Sequence, residues 1–209
     1  MPFDVRPAVS FDDVATLLGP RKNPDASVCW CLSHRLPAAQ HRSLVGRARG
    51  EYVRELTERE PAPGVLAYDG DDVVGWAAVA PRAELPFARS RTIPRIDALD
   101  VWSVWCFRVR AGHRGRGIAH ALLDGAVAFA RGHGAPAVEG YPVDNGGRKV
   151  DLTMAYVGTR ALFEAAGFTM ASPTSGVSGG FPRVVMRLLS PPDPGGRHGA
   201  GRSGAPDRT

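Results

Sequence analysis

Between positions 101 and 131 the hydrophobic period changes once, and the change marks out three elements. Val101, Trp102, Val104, Trp105, Phe107 and Val109 form a β-branched and aromatic run without proline, which predicts a strand covered on both faces. Ile118, Leu122, Ala126 and Phe129 then recur at helical spacing beside a second stripe of Ala119, Leu123, Val127 and Ala130, so a helix with a wide apolar face follows. Gly112, Gly115 and Gly117 stand in the turn between them, where the backbone can take conformations closed to other residues. Residues 137–141 read as a short strand, and the β-α-β order pairs it parallel to the first one.

Smaller elements surround this unit. Residues 3–6 suit a short first strand. Ser10 and Asp13 resemble a capping box for a helix over Phe11, Val14, Ala15, Leu17 and Leu18, which Gly19-Pro20 stops. A polar loop spans 21–27, and a charged helix over 51–60 turns Tyr52, Val53 and Leu56 inward. Residues 65–68 and 73–79 flank an Asp-Gly turn and predict a hairpin. Residues 89–100 form a loop that either folds over a substrate or joins two strands. A glycine-rich loop covers 142–151, and 184–189 make the last strand. From Ser190 onward the chain is proline, glycine and arginine without an apolar anchor. A disordered tail over 190–209 is expected, behind a single domain over 1–189.

Composition narrows the class. With 44% hydrophobic and 22% charged residues, 209 positions can bury one substantial core. No apolar run approaches the roughly 18 residues of a membrane span. The opening MPFDVRPAVS lacks the basic-then-apolar layout of a secretion signal, so a cytoplasmic enzyme is expected. The net charge of +5 is small and spread along the chain. No basic stretch is interleaved with aromatics, which argues against a nucleic-acid partner. Cys29, Cys31 and Cys106 do not suggest a disulfide framework, as suits a reducing compartment.

Candidate chemistry begins at the glycine turn. A helix start leaves about four amides without partners and carries roughly half a positive charge. Arg114 and Arg116 add formal charge, so the turn can seat a phosphate or pyrophosphate; the alternative is an ordinary connection with solvated arginines. Cys29-Trp30-Cys31 with His34 invites a metal reading, but C-x-C is tighter than usual and no second ligand pair stands elsewhere, so no metal is expected. The segment either packs as small hydrophobes around Trp30 or lines an acceptor pocket. Arg82 either faces an acidic group of a substrate or caps the sheet.

The hexapeptide Arg114-Gly115-Arg116-Gly117-Ile118-Ala119 matches the Q/R-x-x-G-x-G/A signature of the GCN5-related N-acetyltransferases (GNAT), and residues 159–168, closing in Gly167-Phe168, look like that family's second cofactor-side helix. The resemblance runs over residues 4–189. It implies an α/β (α+β) fold with a mixed, mostly antiparallel central sheet, splayed at one parallel pair and carrying helices on both faces. It also implies acetyl-CoA as co-substrate, held by Phe107, Val109, Arg114, Gly115, Arg116, Gly117, Ile118 and Ala119. The reaction would be direct attack on the thioester by an amine of a small molecule or a protein lysine; a homodimer is one option for assembly. Two family positions differ. Ser103 stands where some members carry a base glutamate, and Phe163 where many carry an acid tyrosine. Tyr156, Glu139 and Tyr141 are the substitutes within reach for acid and base work. The vacancies also admit a non-catalytic acyl-CoA-binding module or, further off, a module for another phosphate ligand such as ATP.

Overall fold

A computed structural model describes residues 3–86, 90–151 and 156–191. Within them the strands are β1 (Asp4–Pro7), β2 (Gly64–Asp69), β3 (Asp72–Pro81), β4 (Trp102–Val109), β5 (Ala137–Gly140), β6 (Thr169–Ser178) and β7 (Phe181–Leu189). The helices are α1 (Phe11–Leu18), α2 (Ala38–Ser43), α3 (Arg47–Thr57), α4 (Ile118–Gly132) and α5 (Arg160–Ala165). One seven-stranded sheet runs β1-β2-β3-β4-β5-β7-β6. Every neighbouring pair is antiparallel except β4 with β5.

The two apolar stripes of α4 explain why it lies where it does. Ile118, Leu122, Leu123, Ala126 and Ala130 are buried with Val65, Ala77, Trp102 and Val104 in one core on its side of the sheet. The other face carries α1 and α3, with Leu17, Val53, Trp30 and Trp105 in a second core. Ser10 caps α1 by accepting from the Asp13 amide, as the sequence pattern predicts. The hairpin forms as β2 and β3, and the charged helix starts earlier than expected, at Arg47.

β4 is where pattern and structure part. Its first half is buried, but its pairing with β5 covers only Trp102↔Val138 to Val104↔Gly140. Across from it, Ala78 faces Trp105 and Trp76 faces Arg108, so Ala77 alone opposes both Cys106 and Phe107. That is a β-bulge on β4, with Cys106 left-handed at φ 58°. The bulge puts Trp105 and Cys106 together on the α1 and α3 side, with Phe107 on the α4 side, so the simple alternation breaks between Trp105 and Cys106. The gap opened beside β5 is filled at its base by Phe163 of α5. A Cβ on Gly140 would stand 2.1 Å from its ring, so only glycine fits there.

Two further expectations change. Cys31 and Cys106 form a disulfide that ties the segment after α1 to the bulge, and Cys29 alone is free. Spacing hid the pair, because 75 residues separate the partners and only the bulge turns Cys106 outward. The cysteines therefore no longer argue for a reducing compartment. β6 was not legible because Thr169–Ser178 is rich in serine, glycine and proline and mostly exposed, an edge strand held by β7 alone. The expected tail lies outside the described residues beyond position 191.

The disulfide should contribute to stability through its long loop, up to about 4 kcal/mol in the chain-entropy picture. Thermal melts should shift down by several degrees on reduction or in Cys106→Ser, with Cys29→Ser unchanged. Equal melting temperatures with and without reductant would remove this role.

Candidate active site

The turn between β4 and α4 has the geometry that an anion needs. Gly112, Gly115 and Gly117 have φ of 85°, 75° and 85°, and a Cβ at any of them would meet nothing within 4 Å. The left-handed backbone, not crowding, selects glycine here, and it turns the chain so that 114–117 lie exposed while Ile118 is buried. Gly117 is the N-cap of α4, with no side-chain cap and no acid in the first turn. The first bonds of the helix run from the His120 and Ala121 amides to the Gly117 carbonyl, 3.1 Å each. The amides of Ile118 and Ala119 lie ahead of them, as the unpaired first-turn donors of any helix do. Arg116 is anchored by Asp69 at 2.8 Å, and Arg114 is exposed, without a carboxylate within 4 Å among the described residues. These residues fit a diphosphate: donors, positive charge and no side chain of the protein's own in the seat.

A cavity of about 600 Å³ opens beside the bulge, walled by Leu18, Val28, Trp30 and Phe107 and by the phenol of Tyr156. The Phe107 amide donates to the Tyr156 carbonyl at 2.7 Å, which holds Tyr156 where β5 has parted from β4. The same bond engages the Phe107 amide, so of the two backbone positions expected to meet the cofactor arm, Phe107 already has a protein partner for its N–H. Val109, beyond it, pairs with Gly75 on the β3 side only.

His34 meets the Tyr156 ring edge-on, with centroids 5.4 Å apart. Burial, reinforced by the nearby Arg183 charge, pushes the His34 pKa down to about 4. Burial raises the Tyr156 pKa, and Arg183 opposes that rise. A neutral imidazole and a neutral phenol thus stand together at neutral pH. The wall is fixed from behind by Arg49. Its buried guanidinium donates to the carbonyls of Ser27, Val28, His41 and Leu44. Cys31 is committed to its disulfide, so a metal site on Cys29, Cys31 and His34 loses a thiolate.

Glu139 and Tyr141 lie elsewhere. Glu139 is fully buried, accepting from Arg82 at 2.8 Å and Tyr141 at 3.0 Å on one oxygen and from Arg187 at 2.6 Å on the other. The Tyr141 hydroxyl also meets Ser103 at 2.8 Å, and burial with the Glu139 charge drives its pKa upward. Arg82, left open between a substrate and the sheet, belongs to this network and also holds the carbonyls of Ile93 and Pro94. The loop of 90–100 is therefore pinned to the sheet at that point. Ser103, Glu139 and Tyr141 make a closed polar core with its charges matched, and the structure does not bring it together with Tyr156. Sequence reasoning missed His34 as a site residue, and Arg183 altogether. A single arginine in an apolar strand gives no pattern to find.

A family model for the acetyltransferase (GNAT) family matches residues 32–150. No curated protein matches the chain. Among solved structures, ribosomal-protein-alanine N-acetyltransferase from Brucella melitensis superposes with a TM-score of 0.54 at 19% identity, over 90% of this chain and 99% of that one. YncA from Salmonella typhimurium, solved with its cofactor acetyl-CoA, gives 0.52 at 16%, over 93% and 97%. PaiA N-acetyltransferase from Thermoplasma acidophilum, in complex with coenzyme A, gives 0.51 at 13%, over 91% and 100%.

Two outcomes are expected. Glu139→Gln should unfold more readily by about 3–5 kcal/mol, because the buried Arg82 loses its carboxylate partner, while Arg187 keeps only Asp97. A normal melting temperature with activity lost would instead make Glu139 catalytic. For His34, the unfolded chain binds a proton near pH 6.5 and the folded one only near pH 4. The unfolded state holds more protons between those values, so stability is full above pH 6.5 and falls as pH drops, by on the order of 2 kcal/mol. Melts of the wild type and His34→Asn from pH 7 to 4.5 should converge at low pH; parallel curves would refute the shift.

Proposed function

The chain belongs to the acetyltransferase (GNAT) family, and from that premise we propose that it acetylates the amine of a small molecule, with Tyr156 and His34 moving the protons. It is an acetyl-CoA-dependent N-acetyltransferase. Acetyl-CoA, when bound, supplies an acetyl group activated as a thioester. The turn of Arg114, Gly115, Arg116, Gly117, Ile118 and Ala119 binds its diphosphate, and Phe107 and Val109 border the arm that leads inward. Tyr156 is placed to donate a proton to the leaving sulfur, the role that Phe163 cannot fill. His34, kept neutral by burial, is placed to take the proton of the incoming amine. Holding both reactants beside the bulge supplies the rest of the rate.

The observation that carries this reading is the bond from the Phe107 amide to the Tyr156 carbonyl, which sets the phenol on the cavity wall at the end of the parallel pairing. The cavity of about 600 Å³, lined by the end of α1 and by Val28 to Cys31, supports a small acceptor. With Tyr156 available as acid, the argument for a non-catalytic module loses its footing. No described helix is long and apolar enough to cross a membrane. We place the enzyme in the cytoplasm, where acetyl-CoA is made, and take residues 1–189 as its single domain.

Acetyl-CoA should raise the melting temperature, by the equivalent of about 2–3 kcal/mol at a hundredfold excess over Kd. Gly117→Glu should abolish that rise, since it fills the seat with a carboxylate on strained backbone. Tyr156→Phe should keep the acetyl-CoA shift while kcat falls by about 10²-fold and the alkaline limb of the pH profile disappears. An unchanged kcat in Tyr156→Phe would take the acid role from it.

A further inference from the structure

The charges around the cavity are of one sign. Arg21 and Arg108 line it, and among the described residues no aspartate or glutamate does. Neither arginine has a carboxylate within 4 Å among the described residues, whereas Arg82, Arg116, Arg160 and Arg187 are all paired. Arg183 of β7 stands behind the cavity and is not part of its lining. Its Nε donates to the Tyr141 carbonyl at 2.9 Å, its Nη2 is buried without an acceptor, and it too has no carboxylate partner. The groups it acts on electrostatically are His34 and the phenols of Tyr156 and Tyr141, so its field falls on the proposed proton-transfer pair.

Apart from Arg21, Arg108, Ser33 and Tyr156, the described lining is largely apolar, through Leu18, Val28, Trp30 and Phe107.

Resting on the acetyltransferase reading, we propose that the acceptor carries its own anion beside the amine: an α-amino acid with an apolar side chain, its carboxylate drawn to Arg108 and Arg21. The apolar wall receives the side chain, and the amine is presented to Tyr156 and His34. The same field excludes polyamines, aminoglycosides and lysine-rich peptides, whose several cations would meet two guanidinium groups and no counter-charge from the described lining.

Matched pairs test this on the full-length enzyme. CoA release is measured with L-phenylalanine against phenethylamine, L-tryptophan against tryptamine, and L-leucine against isoamylamine. O-phosphoethanolamine, spermidine, kanamycin and a lysine-rich peptide run alongside. Each amino acid should exceed its decarboxylated partner in kcat/KM by ~10- to 100-fold, the worth of a hydrogen bond to a charged group. Arg108→Gln and Arg21→Gln, checked for folding by circular dichroism, should raise KM for the amino acid by far more than KM for its decarboxylated partner. Equal rates within the pairs, faster turnover of spermidine, kanamycin or the peptide, or turnover of O-phosphoethanolamine alone would each overturn the proposal. If acetyl-CoA still raises the melting temperature in those cases, the acceptor class fails and the acetyltransferase reading stands. If that shift is missing, the underlying reading fails instead.

Discussion

Two parallel strands that start paired and then separate are the constraint on which this molecule depends. β4 and β5 share only three register positions, ending at Val104↔Gly140. Beyond that point β4 carries a bulge at Cys106 and Phe107, and the Phe163 ring is wedged against Gly140 where the next pair would form. A sheet cannot leave buried backbone groups unpaired without cost. The free edge of β4 is therefore served by other chain, as when Phe107 bonds to Tyr156. The same separation brings a phenol, an imidazole and a cavity to the end of the strand that leads into the anion-binding turn.

On the paired side of that point the polar groups are closed off. Ser103, Glu139, Tyr141, Arg82 and Arg187 bond to one another in full burial or close to it, with Arg82 Nε left over, and Arg187 reaches on to Asp97. Such a network, with charges matched and hydrogen bonds made, holds β4, β5, β7 and the loop after β3 in one register. Two carboxyl and phenol groups that look available for chemistry in the sequence are thereby used for structure. On the parted side the balance reverses: burial favours the neutral forms of His34 and Tyr156, and Arg21 and Arg108 have no carboxylate within 4 Å among the described residues. The molecule keeps paired carboxylates in its core and cationic side chains at the cleft, and the cleft is where a ligand's negative charge has something to meet.

The Cys31–Cys106 bond joins the two halves of the site. It fixes the Trp30 segment, left-handed at Trp30 and Cys31, against the left-handed bulge residue on β4. With Arg49 bonded to the carbonyls behind that segment, the acceptor wall is held from both ends without regular secondary structure. The short turn of 3₁₀ helix at Leu32–His34 then carries His34 to the Tyr156 ring.

Local pattern was enough for whatever depends on neighbours in sequence. The β4–turn–α4 unit with its left-handed glycines, the Ser10 cap, the hairpin and the parallel partner strand all follow from period, glycine placement and chain order, and each is found. β6 escaped because an exposed edge strand needs no apolar alternation. The site's second half was decided in three dimensions. A disulfide across 75 residues, a histidine edge-on to a distant tyrosine and an arginine without a counter-ion are relations between segments that no window along the chain contains. Residue type names the chemistry a position can do; burial and partners decide whether it is left free to do it, and those are set only when the sheet closes.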